Sequence, residues 1–147
     1  FRSGSDPRRA RTGLSSAEAG VTAGLAATGL KYVFGRARPN SGLPRNDFDF
    51  FSSDPQRGSM PSRHTAVAWA VATPFAEEYK APWLYGVAAV TNLARIGKQE
   101  HWVSDTVAGS LLGYGIGRLF WESSRANSQL PQVMIDPSGV LLSWTYY

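Results

Sequence analysis

An all-α fold, a helical bundle of about four to six helices carrying a small C-terminal β-hairpin, is what this sequence predicts. Three observations carry the prediction. Apolar and small residues recur at three- and four-residue spacing between clear start and stop signals. Gly109, Gly113 and Gly117 stand four apart and make one smooth helix face. A chain of 147 residues, 43% hydrophobic and 18% charged, fits one domain that can bury roughly two-thirds of its unfolded surface.

Residues 1–14, with Arg2, Arg8, Arg9 and Arg11 among Ser, Gly, Asp and Pro, show no apolar period and are expected to form a flexible basic arm. The helical domain is expected over residues 15–125. Its first helix opens at Ser15 or Ser16, with Glu18 completing a capping pattern, and runs to about Arg36 before Pro39 stops it. Asn40 to Met60 is rich in Pro, Gly, Asp and Ser, contains Phe48, Phe50 and Phe51, and reads as a long surface loop. Loops of that length in compact domains are usually functional. A second helix starts near Pro61 and Ser62, where the serine can cap, and carries Ala66, Trp69, Ala70 and Phe75 inward to about Tyr79, with Pro74 a point for a kink. A third runs from Pro82 or Trp83 to Ile96, with Gly97 as its stop. A fourth extends from about Trp102 to about Ser123, its glycine face suited to close packing in a bundle. Residues 126–147 form an extension in which Val133 to Asp136, the turn Pro137–Ser138–Gly139 and Val140 to Tyr147 read as a hairpin that docks on the bundle or on another chain.

Composition narrows the chemistry. No cysteine is present, which excludes a disulfide framework, a thiolate zinc site, an iron–sulfur cluster and a cysteine nucleophile. The net charge is +4 and 12 of the 15 basic residues are arginine, the side chain suited to bidentate grip on phosphate or carboxylate. These arginines do not form a stripe along one element, which disfavours nucleic acid as the partner. The longest uncharged stretches, Trp83 to Ala94 and Thr106 to Gly117, are shorter than the roughly 18 to 20 apolar residues a spanning helix needs, yet long enough to lie against a bilayer surface. A start at Phe1 rather than Met leaves room for a removed leading segment.

The two histidines, His64 and His101, lie in dense polar runs beside expected helix starts. His101 and Asp105, four apart on a helix, share a face, so the carboxylate can accept a hydrogen bond from one imidazole nitrogen and leave the other free as nucleophile or base. The plainer alternative is an ordinary capping pair. Arg95, six residues earlier with Gly97 between, can turn its guanidinium over the same pocket. Ser62, Arg63 and His64 occupy the first turn of the second helix, where unsatisfied N–H groups and the dipole favour an anion. His64, with a reference pKa of about 6.5, suits proton donation to a leaving oxygen. Lys31 and Arg38, seven apart, are expected on one helix face, able to grip one anion between them.

Together these runs resemble the three-part signature of the type 2 phosphatidic-acid phosphatase superfamily, which includes bacterial class A acid phosphatases, lipid phosphate phosphatases and vanadium haloperoxidases. The first part, Lys, six residues, Arg-Pro, stands as Lys31 to Arg38–Pro39; the second, Pro-Ser-Gly-His, as Pro61–Ser62–Arg63–His64. The third, Ser-Arg, five residues, His, three residues, Asp, stands as Ala94–Arg95, His101 and Asp105. Arg63 replaces the family's glycine and Ala94 its serine. The resemblance, over roughly residues 31–117, implies a phosphatase for monoesters or diphosphates that needs no metal or other cofactor, with phosphate or vanadate able to occupy the pocket. His101 would attack phosphorus, Asp105 orient it, and His64 protonate the leaving group. Lys31, Arg38, Ser62, Arg63 and Arg95 would hold the phosphoryl oxygens. A vanadium haloperoxidase and a non-catalytic phosphate or lipid-head binding module are the alternatives. The expected substrate bears a phosphate, lipid-linked as the resemblance to lipid phosphate phosphatases implies, with Phe48, Phe50, Phe51, Trp83 and Trp102 either meeting an acyl chain or belonging to the core. The expected setting is a bacterial envelope, periplasmic or membrane-associated, with peripheral membrane contact.

Overall fold

The first helix starts on a proline. In the computed structural model, which describes residues 6–128 and the backbone of 132–136 and 139–143, α1 spans Pro7–Phe34. Asp6 caps it by accepting the Arg8 N–H at 3.0 Å, and Pro7 sits where a missing N–H costs nothing. The expected arm over 1–14 is therefore corrected: from Pro7 onward this segment is helix. The cause is tertiary. Arg8 and Arg11 pair with the buried Glu78 carboxylate at 2.6 and 3.2 Å, while Thr12 and Ser15 are buried with their hydroxyls on carbonyls four residues back. A docked face built from polar side chains carries no apolar period to read.

The other end of α1 also differs from expectation. It stops at Phe34, because Gly35 takes the left-handed conformation at φ 52° and returns its N–H to the Lys31 carbonyl at 2.9 Å. A Cβ at Gly35 would overlap the Asp49 carbonyl. After Gly35 the chain runs through 3-10 turns at Pro39–Ser41 and Pro55–Arg57, with Arg36 bridging to Phe48 and Arg57 holding Asp47 at 2.6 Å. The long loop thus has its own hydrogen-bonded skeleton, and it delivers Ser59 to the interior.

Three helices follow: α2 spans Arg63–Glu78, α3 spans Trp83–Gly97 and α4 spans Val103–Ser128. α2 touches each of the other three. Ala19, Ala23 and Ala27 of α1 meet Ala66 and Ala70 of α2, with Leu112, Ile116 and Phe120 of α4 packed against them. Small residues let the backbones close up, and the glycine face of α4 does the same on α2. A Cβ at Gly109 would stand 2.6 Å from the Ser62 carbonyl oxygen, and one at Gly113 would overlap the Ala66 carbonyl. Gly113→Ala is accordingly expected to destabilise the fold by about 1–3 kcal/mol, seen as a lower thermal midpoint. Gly115→Ala, with nothing within 4 Å of the new methyl, should hold or raise it.

Because the core is made of alanine, many large apolar side chains point outward. Leu25, Val90, Leu93 and Leu111 are each more than 60% exposed. Among the described residues no helix is long and apolar enough to cross a membrane. Beyond α4, the backbones of Gln132–Asp136 and Gly139–Ser143 pair antiparallel, while the turn 137–138 and the tail 144–147 of the expected hairpin lie outside the described residues.

Candidate active site

His101 sits just ahead of α4 and is only 3% exposed. Its Nδ1 lies 2.7 Å from the Ser59 carbonyl oxygen, a group that can only accept. Nδ1 therefore carries the proton, and Nε2 keeps its lone pair. Burial first, and then the charges of Lys31, Arg95 and Arg38, push the imidazole pKa down to about 3, although the bond to Ser59 pulls the other way. The ring is neutral over the physiological range.

Asp105 does not hold His101 directly, which corrects the expected dyad. Its Oδ1 accepts from Arg36 Nη1 at 2.5 Å, and its Oδ2 accepts from Ser59 Oγ at 2.5 Å and from the Trp102 N–H at 2.9 Å. The last bond is a helix-start bond, since an acid three residues into a helix can reach back to the capping N–H. Ser59 is the link. It donates its N–H to the Arg36 carbonyl at 3.0 Å, its Oγ–H to Asp105, and accepts from His101. Arg36 closes the ring, itself only 6% exposed, with Nε on the Arg45 carbonyl at 2.9 Å and Nη1 on Ser104 Oγ at 2.7 Å. The rings of Phe48 and Trp102 lie 5.3 and 5.9 Å from its guanidinium carbon.

Around His101 the structure gathers the cations that the sequence singled out, though not by the expected route. Lys31 lies in the last turn of α1, whereas Arg38 lies past the Gly35 turn in extended backbone, its N–H on the Gln56 carbonyl at 3.1 Å. The two meet because the loop folds back, not because they share a helix face. Lys31 Nζ donates to the Gly58 carbonyl. Its pKa falls to about 8, chiefly through burial and then through Arg38, with Asp105 opposing. Arg95, near the end of α3, is likewise lowered by burial and by Arg38. The Nε–H groups of Arg38 and Arg95 are both buried without a partner. Two unspent guanidinium donors in one pocket are a place for oxyanions.

The start of α2 faces the same pocket. Ser62 is fully buried at the cap position, but its side chain makes no capping bond. Its Oγ accepts from Thr65 at 3.0 Å, and its N–H is spent on the Asp105 carbonyl at 2.9 Å. His64 is exposed at the surface, and its pKa is lowered first by the partial desolvation of its ring and then by the charges of Arg95, Arg63, Lys31 and Arg38. Arg63 is exposed as well, and so is Ala94, so both departures from the family pattern fall on open positions. The Glu100 carboxylate pairs with Arg95 and stands 3.7 Å from Arg38 Nη1.

A family model for the PAP2 superfamily matches residues 13–129. The chain belongs to the PAP2 superfamily. A lipid A 1-phosphatase of Porphyromonas gingivalis (strain ATCC 33277) is 39% identical over 116 residues, which cover 74% of this chain and 22% of that protein. The chain thus spans about a fifth of that relative's length. No solved structure matches it.

In this PAP2 chain, three residues of the site escaped sequence reasoning. Arg36 stands two positions before the signature arginine, in the run Gly35–Arg36–Ala37–Arg38, and a second arginine so close was the available clue. Glu100 adjoins His101, and an acid five residues after Arg95 could have been flagged. Ser59 sits in an aperiodic loop and left no signal at all.

Proposed function

We propose that this chain is a phosphatase that hydrolyses phosphate monoesters or diphosphates, lipid-linked ones in particular, through a phosphohistidine on His101. What carries the reading is a neutral, buried imidazole with Nε2 unspent, set among Lys31, Arg38 and Arg95, two of which keep buried donors free. Nε2 attacks phosphorus as the ester P–O bond breaks, and His64 gives its proton to the leaving oxygen. A water that returns its proton to His64 then attacks the phosphohistidine, the P–N bond breaks, and phosphate leaves with His101 restored. Lys31, Arg38, Arg95, Ser62 Oγ and the Arg63 N–H stabilise the equatorial oxygens, the usual main source of rate in phosphoryl transfer. Asp105 acts through Ser59, which fixes the tautomer and angle of His101. The lipid preference and an envelope setting are supported by the relative's name and by the apolar side chains outside the bundle. The test is phosphate release from an aryl phosphate and from a lipid phosphate in excess EDTA. Persistent hydrolysis, inhibited by vanadate, agrees with the reading; a requirement for added metal ion contradicts it.

The proton inventory sets the pH dependence. His101 has to be neutral, which holds above about pH 3. His64 has to be protonated, and its pKa in the free protein lies below 6.5. kcat/KM is therefore expected to rise through about pH 3, peak in acid, and fall as pH climbs through the His64 value, with a further decline above about pH 8 as Lys31 loses its charge. With a dinitrophenyl phosphate, whose leaving group needs no proton, the limb assigned to His64 should disappear.

Glu100 competes with substrate for the same guanidinium groups. Glu100→Gln is expected to tighten inhibition by inorganic phosphate by roughly 1.5- to fivefold, the size of one partly exposed ion pair. An unchanged inhibition constant would place the carboxylate outside the anion position.

A further inference from the structure

We infer that the groove between α2 and α3 holds the alkyl chain of an amphiphilic phosphate ester whose headgroup sits on His64 and Arg95. The groove has a volume of about 510 Å³ and is lined on the α2 side by Ala68, Ala72, Phe75 and Tyr79. On the α3 side Trp83 stands at the far end and Thr91 at the near end. The register ties this groove to the anion site. His64 precedes Ala68 by four residues, and Ala72, Phe75 and Tyr79 continue the same stripe. On α3, Leu84, Ala88 and Thr91 lead by the same three- and four-residue steps to Arg95. Two helix faces that line an apolar channel thus end, one turn further on, in the proton donor and in a guanidinium with a buried free Nε–H.

The occupant follows from that continuity. A ligand that fills both parts has an anionic head and an unbranched apolar tail, since the polar side-chain groups along the groove are confined to the Thr91 hydroxyl near the head and to the Tyr79 phenol and Trp83 indole N–H. From Thr91 to Trp83 is eight residues, or about 12 Å of helix, which accommodates a medium-length alkyl chain. Trp83 is 66% exposed and Val87 58%, so this wall of the groove faces water. A second depression, along Val103, Val107 and Leu111, has Arg36 at its head, but that guanidinium is committed to Asp105. The α2–α3 groove leads, by the register of both its helices, to His64 and to the free Arg95 Nε–H.

This inference rests on the phosphatase reading of the anion site, and its test separates the two. Monoalkyl phosphates from ethyl to dodecyl, each below its micelle concentration, give a chain-length series. kcat/KM is expected to rise about twofold per methylene, half the roughly fourfold that complete burial of a CH₂ gives, and to level off once the chain outruns the groove. Val87→Glu and Ala72→Trp, checked for intact helicity, should each cut the dodecyl-to-ethyl ratio at least tenfold. A readout without turnover uses a dodecyl phosphonate brominated at its far end. It should quench a component of tryptophan emission that Trp83→Phe removes. A flat series, or a ratio that neither variant changes, overturns the groove while leaving the phosphatase intact. Quenching at Trp83 in a protein that hydrolyses no member of the series keeps the groove and overturns the phosphatase. Absence of quenching overturns the groove.

Discussion

His101→Asn is expected to abolish turnover, by about 10⁴-fold or more, while leaving the fold in place. Asparagine is the informative replacement because its amide nitrogen falls near the position of Nδ1. The 2.7 Å bond to the Ser59 carbonyl then has a donor, and the buried loop keeps its anchor. What asparagine lacks is Nε2. Loss of activity with an unchanged thermal midpoint separates the nucleophile from the structural half of the same ring. Alanine would remove both, leaving a buried carbonyl unpaired at a cost of about 1–3 kcal/mol, so its loss of activity would be harder to interpret. Residual hydrolysis within tenfold of the parent would mean that His101 is not the attacking group.

The largest expected stability effect lies at Arg36. Asp105 is fully buried, and Arg36 is its charge partner at 2.5 Å. Arg36→Met keeps much of the volume between the Phe48 and Trp102 rings but strips the counter-charge, and breaking a buried pair by removing one partner costs about 3–5 kcal/mol. The remaining donors on Asp105, Ser59 Oγ and the Trp102 N–H, soften that loss without cancelling it. Activity should fall too, since Ser59 takes its position from Arg36 and Asp105 together. A merely structural arginine would lower stability and leave the surviving folded enzyme with its normal pH profile. A positioning arginine shifts the acid limb assigned to His101, because the imidazole then tilts off the Ser59 carbonyl. Arg36→Lys should restore part of both, but not all, because an ammonium cannot reach Asp105, Ser104 and the Arg45 carbonyl in one planar arrangement.

How much was legible in advance depended on whether the cause was local. α2, α3 and α4 begin within a residue or two of where Ser62, Pro82 and Trp102 mark them, because caps and prolines act through neighbouring backbone. The face of α4 with Gly109 and Gly113 was equally plain, since the need for close approach is written in the missing side chains. The first two turns of α1 were hidden, because what stabilises them is Glu78, some seventy residues away in sequence. The site shows the same division. Lys31, Arg38 and Arg95 gather around His64 and His101, yet the bonds among the signature residues were misjudged wherever a loop intervened. Spacing put Asp105 beside His101 and Lys31 on the face of Arg38. In the folded chain Ser59 stands between the first pair, and Gly35 turns the chain between the second.

The central claim is covalent, so the most direct measurement is covalent. The His64→Ala variant, mixed with dinitrophenyl phosphate and quenched in alkali, should retain the phosphoryl group, because release to water is slowed when no base activates it. The account predicts close to one acid-labile, alkali-stable phosphate per chain, located by peptide mass spectrometry on His101. Turnover with no labelled protein at any quench time, or a label on any other residue, would contradict it.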